Sequence, residues 1–251
     1  MSLLKKIAFF CALLVLWAIL VERHIWDPTL FPSPLAVGQT LMEHLRDGSL
    51  LDATAVSLRR VMLGYAISIL IAVPLGILIA RSKFAEDTAG ALVSSFQSLP
   101  SICWLPLALL WFGLNDRAIL FVVVMGSMVS ITVAVRDGVR NLPPAYVRAA
   151  RTMGTSGWQL YTRILFPASL PAVLTGAKLG WSYAWRALMS GELLFVSLGL
   201  GHMLMMGREL SDMSQVLSVM LVIMAIGLFS DNIIFGSLER HVRRSWGLGT
   251  A

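Results

Sequence analysis

The stretch PPAYVRAARTMGTSGWQLYTRILFP, residues 143–167, decides how this chain is read. Pro144 suits the first turn of a helix, where its missing N–H is not needed. Tyr146, Ala149, Ala150 and Met153 then recur at i, i+3, i+4 and i+7 and share one face. Gly154 stops that helix, because the left-handed conformation that closes a helix costs glycine least. Ser156 is placed to cap a second short helix, Gly157 to Ile164, which Pro167 ends. The spacing predicts a helix–turn–helix elbow with small residues at its knuckle, a shape suited to docking into a groove on a partner protein.

Outward from this elbow the chain turns apolar on both sides, over about residues 119–135 and 168–195. Two such flanks argue strongly against a DNA-reading helix-turn-helix. Further apolar runs cover about residues 7–21, 61–80, 89–112 and 216–235, which makes about six membrane spans. Each is near the roughly 20 residues that a helix rising about 1.5 Å per residue needs to cross about 30 Å of hydrocarbon. Of the 251 residues, 57% are hydrophobic and only 14% are charged, and the mean hydropathy is +0.77. A soluble domain carries about 25% charged residues, so much of this surface does not face water. The expected fold is an all-α integral membrane protein, one transmembrane domain over residues 1–251.

Local features refine that picture. Lys5 and Lys6 precede the first apolar run, but no small-x-small cleavage site follows it, so an uncleaved span is expected. Between residues 22 and 56, Leu35, Val37, Leu41, Met42 and Leu45 recur near helical spacing and predict a short interfacial amphipathic helix. The run 89–112 is interrupted by Gln97, Ser98, Pro100 and Pro106. Proline frees a carbonyl, which within a membrane must be satisfied by protein or by a water-filled cavity. That span therefore faces the protein interior, as a packing kink or as part of a pathway. Cys11 and Cys103 lack metal-ligand spacing and read as packing residues.

The net charge of +6 is not a nucleic-acid signature, because the basic residues are scattered between apolar runs and form no dense patch. They do set an orientation. With a cytoplasmic N-terminus and six alternating spans, 12 of the 20 basic residues fall inside and 6 outside, while Lys178 and Arg186 fall in the fifth span. The positive-inside rule then places both termini in the cytoplasm. Arg59-Arg60 is awkward in that scheme and is expected to snorkel at the outer interface.

The spacing Arg148-Ala149-Ala150, three residues, Gly154, nine residues, Ile164-x-Phe166-Pro167 resembles the EAA loop of type I ABC importer permeases. Two positions depart from it: Arg148 stands where that family has glutamate, and Phe166 where it has leucine. The segments 28–34, 99–113 and 184–192 with the following Gly-Leu-Gly resemble its nitrate/sulfonate/taurine branch. The resemblance implies a homodimeric permease in a bacterial inner membrane. It implies an ATPase dimer docked on the coupling loop 143–167 through Arg148, Ala149, Ala150, Met153, Gly154, Ile164 and Pro167. It also implies a substrate-binding protein outside. No Gly-x-x-x-x-Gly-Lys-[Ser/Thr] loop occurs in the chain, so ATP and Mg are expected on the partner ATPase and no cofactor on this chain.

Intramembrane charge is costly and faces a partner or a cavity. Lys178, near the inner end of the fifth span, reads as snorkelling. Arg186 reads either as a positive field along an anion pathway or as half of a structural ion pair. Glu192 is six residues on, about 120° away around the helix at 100° per residue, so a direct pair is not expected. Candidate pathway residues are Pro100, Pro106, Trp181, Trp185, Arg186 and Glu192, with packing the rival reading for the two tryptophans. Gly176-x-x-x-Gly180 permits close helix approach within a protomer or across a dimer. A secondary transporter is a rival class, but it would show two related halves with midplane charges in both. An enzyme would need a cluster that the dispersed His24, His44, His202 and His241 do not make. Taurine and other sulfonates, nitrate, bicarbonate and small vitamin precursors all suit the branch resembled.

Overall fold

A backbone in hydrocarbon has no water to bond to, so a chain this apolar must satisfy its amides internally. A computed structural model describes residues 3–23, 27, 29–155, 157–194 and 198–245, and all of its regular structure there is helical. The helices are α1 Leu3–Glu22, α2 Pro34–Arg46, α3 Ser49–Arg81, α4 Lys83–Gln97, α5 Ser101–Phe112, α6 Asp116–Arg140, α7 Pro144–Thr152, α8 Gly157–Leu160, α9 Phe166–Leu194, α10 Leu200–Glu209 and α11 Met213–Val242. Two compact units result. One comprises Met1–Leu58 with Glu192–Ile226, the other Arg59–Gly191 with Gly227–Ala251.

Among the described residues, α3, α6 and α11 are long and apolar enough to cross a membrane. The pair α4 and α5 adds a fourth if counted as one broken span. The six expected spans are therefore not all met: α9 has the length, with 29 residues, but Lys178, Arg186 and Glu192 dilute its hydropathy. The run 89–112 does not kink but breaks, and its two helices meet at 108°. Pro100, whose N–H is missing, stands at the break, and its carbonyl accepts from Cys103 N–H at 2.9 Å.

In the first unit, Ser33 caps α2 by accepting from Ala36 N–H at 3.2 Å. Val37 of that helix is buried, while Leu35 and Met42 are exposed, as an interfacial helix requires. Apolar residues are exposed along α1, from Ile7 through Phe9 and Leu13 to Leu16, which fits a helix whose solvent is lipid.

The second unit is built around α6, which buries Ile119, Val122, Val123, Ile131 and Val135. Helices in lipid gain little from hydrophobic exclusion and rely on close packing, so small residues collect at their contacts. On α3, a Cβ at Gly76 would lie 2.7 Å from that of Val135 and 2.8 Å from the Thr132 carbonyl oxygen. On α9, a Cβ at Gly176 would lie 1.9 Å from that of Ala134, and one at Gly180 2.5 Å from Ile131 Cγ1. The Gly-x-x-x-Gly pair thus packs within the protomer. Ser127 Oγ donates to Ser68 Oγ at 2.6 Å, a buried hydroxyl link between α6 and α3.

Three expectations change. Helix α3 begins 12 residues before the expected span, which places Arg59-Arg60 on a continuous helix. Arg60 turns inward, 5% exposed, and its Nη2 lies 2.6 Å from Asp116 Oδ1. A carboxylate within reach is a better partner than a distant interface, so only the exposed Arg59 remains on the outside of the helix. Lys178 likewise does not simply snorkel but pairs with Asp231 at 3.3 Å, joining α9 to α11. Cys11 and Cys103 are exposed, not packed.

Gly176→Ala is expected to lower stability by roughly 1–3 kcal/mol, the usual cost of overpacking. Adding Ala134→Gly should recover part of that loss, as read by thermal unfolding in detergent.

Candidate functional site

The elbow forms as its sequence dictates. Pro144 opens α7, Met153 is its C-cap and Gly154 has φ +80°. Gly154 N–H donates to the Arg151 carbonyl and Thr155 N–H to the Ala150 carbonyl, both at 3.0 Å. This pair of bonds closes the helix with orphan carbonyls satisfied. A Cβ at Gly154 would meet nothing within 4 Å, so it is the backbone and not crowding that calls for glycine.

Ala150, Leu160 and Leu165 are buried together, with Leu142 and Ile164 packed against them, and give the elbow a small core of its own. Arg148, Ala149 and Met153 are exposed. The expected single face therefore divides: Ala150 holds the elbow together and Ala149 and Met153 are presented outward. Ser156 and Pro28 lie outside the described residues, as do Phe195 and the Tyr146 side chain. Pro167 does not end the second helix. A π turn, Tyr161–Leu165, carries α8 directly into α9, and its wider hydrogen-bond register accommodates a residue without an N–H.

A cavity of about 360 Å³ opens where α4 gives way to α5. Its walls include Gln97, Ser98, Pro100 and Ser101 at the break, Ser130 on α6, and Tyr183 and Arg186 on α9. Arg186 is exposed; its Nε donates to the Ser182 carbonyl at 3.1 Å and its guanidinium carbon lies 4.7 Å from the centre of the Tyr183 ring. No carboxylate is among the lining residues. The break in the helix and the Arg186 guanidinium thus face the same space, where backbone irregularity is tolerated in membranes.

The structure brings Pro100 and Arg186 together in this cavity, and leaves the other four candidates elsewhere. Pro106 is exposed in the first turn of the Leu105–Phe112 stretch of α5. Trp181 is buried against Tyr65 and Phe235, with ring centres 5.2 and 5.9 Å away. Trp185 is buried beside Gly227. Both tryptophans pack the helices and do not line the cavity.

Glu192 is fully buried and lies in the first unit, where Ser57 Oγ donates to its carboxylate at 2.7 Å and Gly201 N–H at 3.0 Å. Ser57 carries no motif that would have singled it out. The close Gly-x-Gly at 199–201 was a signal of tight backbone approach, but nothing in the sequence tells what approaches it.

The described residues thus form a helical membrane domain with a self-packed elbow between its long helices. The sequence profile of the binding-protein-dependent transport system inner membrane component family matches residues 72–245, and the chain belongs to that family. A putative ABC transporter permease protein of Methanocaldococcus jannaschii is 32% identical over 235 residues, 92% of this chain and 88% of that protein. The taurine transport system permease protein of Escherichia coli K12 is 26% identical over 226 residues, 88% of this chain and 82% of its own. The inward-facing MetNI methionine ABC transporter superposes with a TM-score of 0.68 at 19% identity, over 77% of this chain and 96% of that one; the likeness bears on the fold. The chain is the multi-pass membrane permease subunit of an ABC importer.

Gly154→Ala is expected to cost about 1–2 kcal/mol, the penalty of a left-handed backbone for an L-residue. Gly154→Asn should cost less, since asparagine tolerates that conformation. Melting curves of the purified protein would show the order Gly, Asn, Ala.

Proposed function

We propose that two copies of this chain form the pathway for a small anion, an alkanesulfonate such as taurine or an inorganic ion such as nitrate. An extracytoplasmic binding protein delivers the solute. A cytoplasmic ATPase dimer, holding ATP and Mg, docks on the elbow 143–167 and drives the cycle. Both termini are cytoplasmic, and this chain hydrolyses nothing.

The observation that carries the anion reading is Arg186. It faces a partly polar cavity at a broken helix, and among the described residues no carboxylate lines that wall. An ionisable group at membrane depth marks a solute route by default. The names of relatives share an anionic oxygen group: one is a permease for taurine, which carries a sulfonate, and another is a nitrate import permease of Synechocystis, 28% identical over 178 residues. The exposed Ala149 and Met153 beside a rigid stop at Gly154 support the elbow as the coupling element. Arg148 in place of glutamate makes the contact there cationic on this side.

The test is uptake of labelled taurine and nitrate into proteoliposomes holding this chain, its ATPase and its binding protein. Arg186→Gln is expected to lower uptake by about tenfold or more, the change that about 1.4 kcal/mol carries, while the ATPase still co-purifies. Uptake by Arg186→Gln equal to that of the parent would remove Arg186 from the pathway. Uptake without ATP would overturn the importer mechanism.

A further inference from the structure

Helix α10 has ten residues, about 15 Å at 1.5 Å per residue, and is too short to cross a membrane. Its N-cap, Gly199, offers no side chain, so the first amides need partners from elsewhere. They find them in a closed set of hydrogen bonds. Leu200 N–H donates to Ser57 Oγ at 2.9 Å, Ser57 Oγ donates to Glu192 at 2.7 Å, and Gly201 N–H donates to the same carboxylate at 3.0 Å. Ser57 and Glu192 are both 0% exposed. Further along the helix, Gln215 Nε2 donates to the Met203 carbonyl at 2.8 Å.

An ordinary cap would have been simpler. Gly199 has φ 161°, extended backbone that any residue adopts, so a serine or aspartate there would cap the helix locally. The sequence leaves that position bare, and the space goes to Glu192: a Cβ at Gly199 would fall 2.6 Å from the carboxyl carbon, and one at Gly201 2.5 Å from Glu192 Cβ. Taking a carboxylate out of water carries a desolvation cost that its hydrogen bonds must first offset. A device that only satisfied two amides would not need it. What the buried joint adds is a tie: the start of α10, the end of α9 and the early turns of α3 meet at one point. Hydrogen bonds are lost over short displacements, so the joint holds α10 in one register.

We infer that Glu192 and Ser57 are positioning residues for transport, and that the cycle depends on the register they impose on α10 and not merely on that helix being capped. The inference rests on the importer reading for its transport readout only.

The decisive variant is the double change Glu192→Ala with Gly199→Ser, which removes the tie and supplies a local cap. Glu192→Ala and Ser57→Ala are expected to lower ATP-driven uptake by about tenfold. The double variant should regain the parent's melting temperature and still transport poorly. Recovery of uptake together with melting temperature would reduce Glu192 to a cap and overturn the inference, as would parental uptake in Ser57→Ala. A second measurement needs no ATPase. In a Cys11→Ser, Cys103→Ser background, Met203→Cys places a thiol on the buried side of α10, at a position 7% exposed. Ser57→Ala should raise its labelling by a water-soluble maleimide about tenfold; an unchanged rate overturns the inference. A parent complex that neither binds an ATPase nor transports would sink the importer reading, with the labelling test still standing.

Discussion

The structure depends on how closely backbones approach α6. Lipid offers these helices no reason to associate beyond the contacts they make, so each tenth of an ångström of approach counts. Gly76 on α3 and Gly176 and Gly180 on α9 remove the side chains that would hold the helices apart. Ala72, Ile131, Val135 and Val173 then close into one core, with Tyr65 and Met128 against it. Charge is fitted around that packing. Arg60 meets Asp116, Lys178 meets Asp231, and Arg140 meets Glu86, so these cations of the second unit have carboxylate partners. Arg186 differs in facing a cavity whose lining includes no carboxylate.

A polar space inside an apolar protein needs a source of polarity. Here much of it comes from interruption. The 108° break between α4 and α5 exposes backbone and hydroxyl groups at Ser98 and Ser101, and α9 supplies the guanidinium opposite. Proline at position 100 and glutamine and serine before it are poor choices for a plain span and good ones for such a wall.

Much of this was legible in the sequence, for physical reasons. Apolar runs of membrane length give helices because a helix satisfies its backbone within the one segment. The first helix of the elbow was readable at both ends, since Pro144 and Gly154 act through local backbone geometry. What was not legible is what depends on distant partners. The neighbour that draws Arg60 inward, Asp116, is 56 positions away, and the hydroxyl that meets Glu192 is 135 away. Periodicity carries no information about such pairings. The six-span count is not confirmed, because α1 is short in apolar length and in α9 length and charge content pull in opposite directions. Pro167 was over-read as a stop, because the rule against proline in helices assumes an α register, and a π turn precedes it.

The π turn has a mechanical consequence. Since the chain passes from the elbow into α9 without a loop, the elbow and Arg186 lie on one continuous helical rod, with Pro171 inside it. From Phe166 to Arg186 that rod is about 30 Å long. A tilt of about 5° at its base sweeps the guanidinium through about 2.6 Å, close to the length of a hydrogen bond. Were the rod to tilt as one body, the elbow would be the short arm of a lever whose long arm ends in the cavity wall, with any bend at Pro171 taking up part of the stroke.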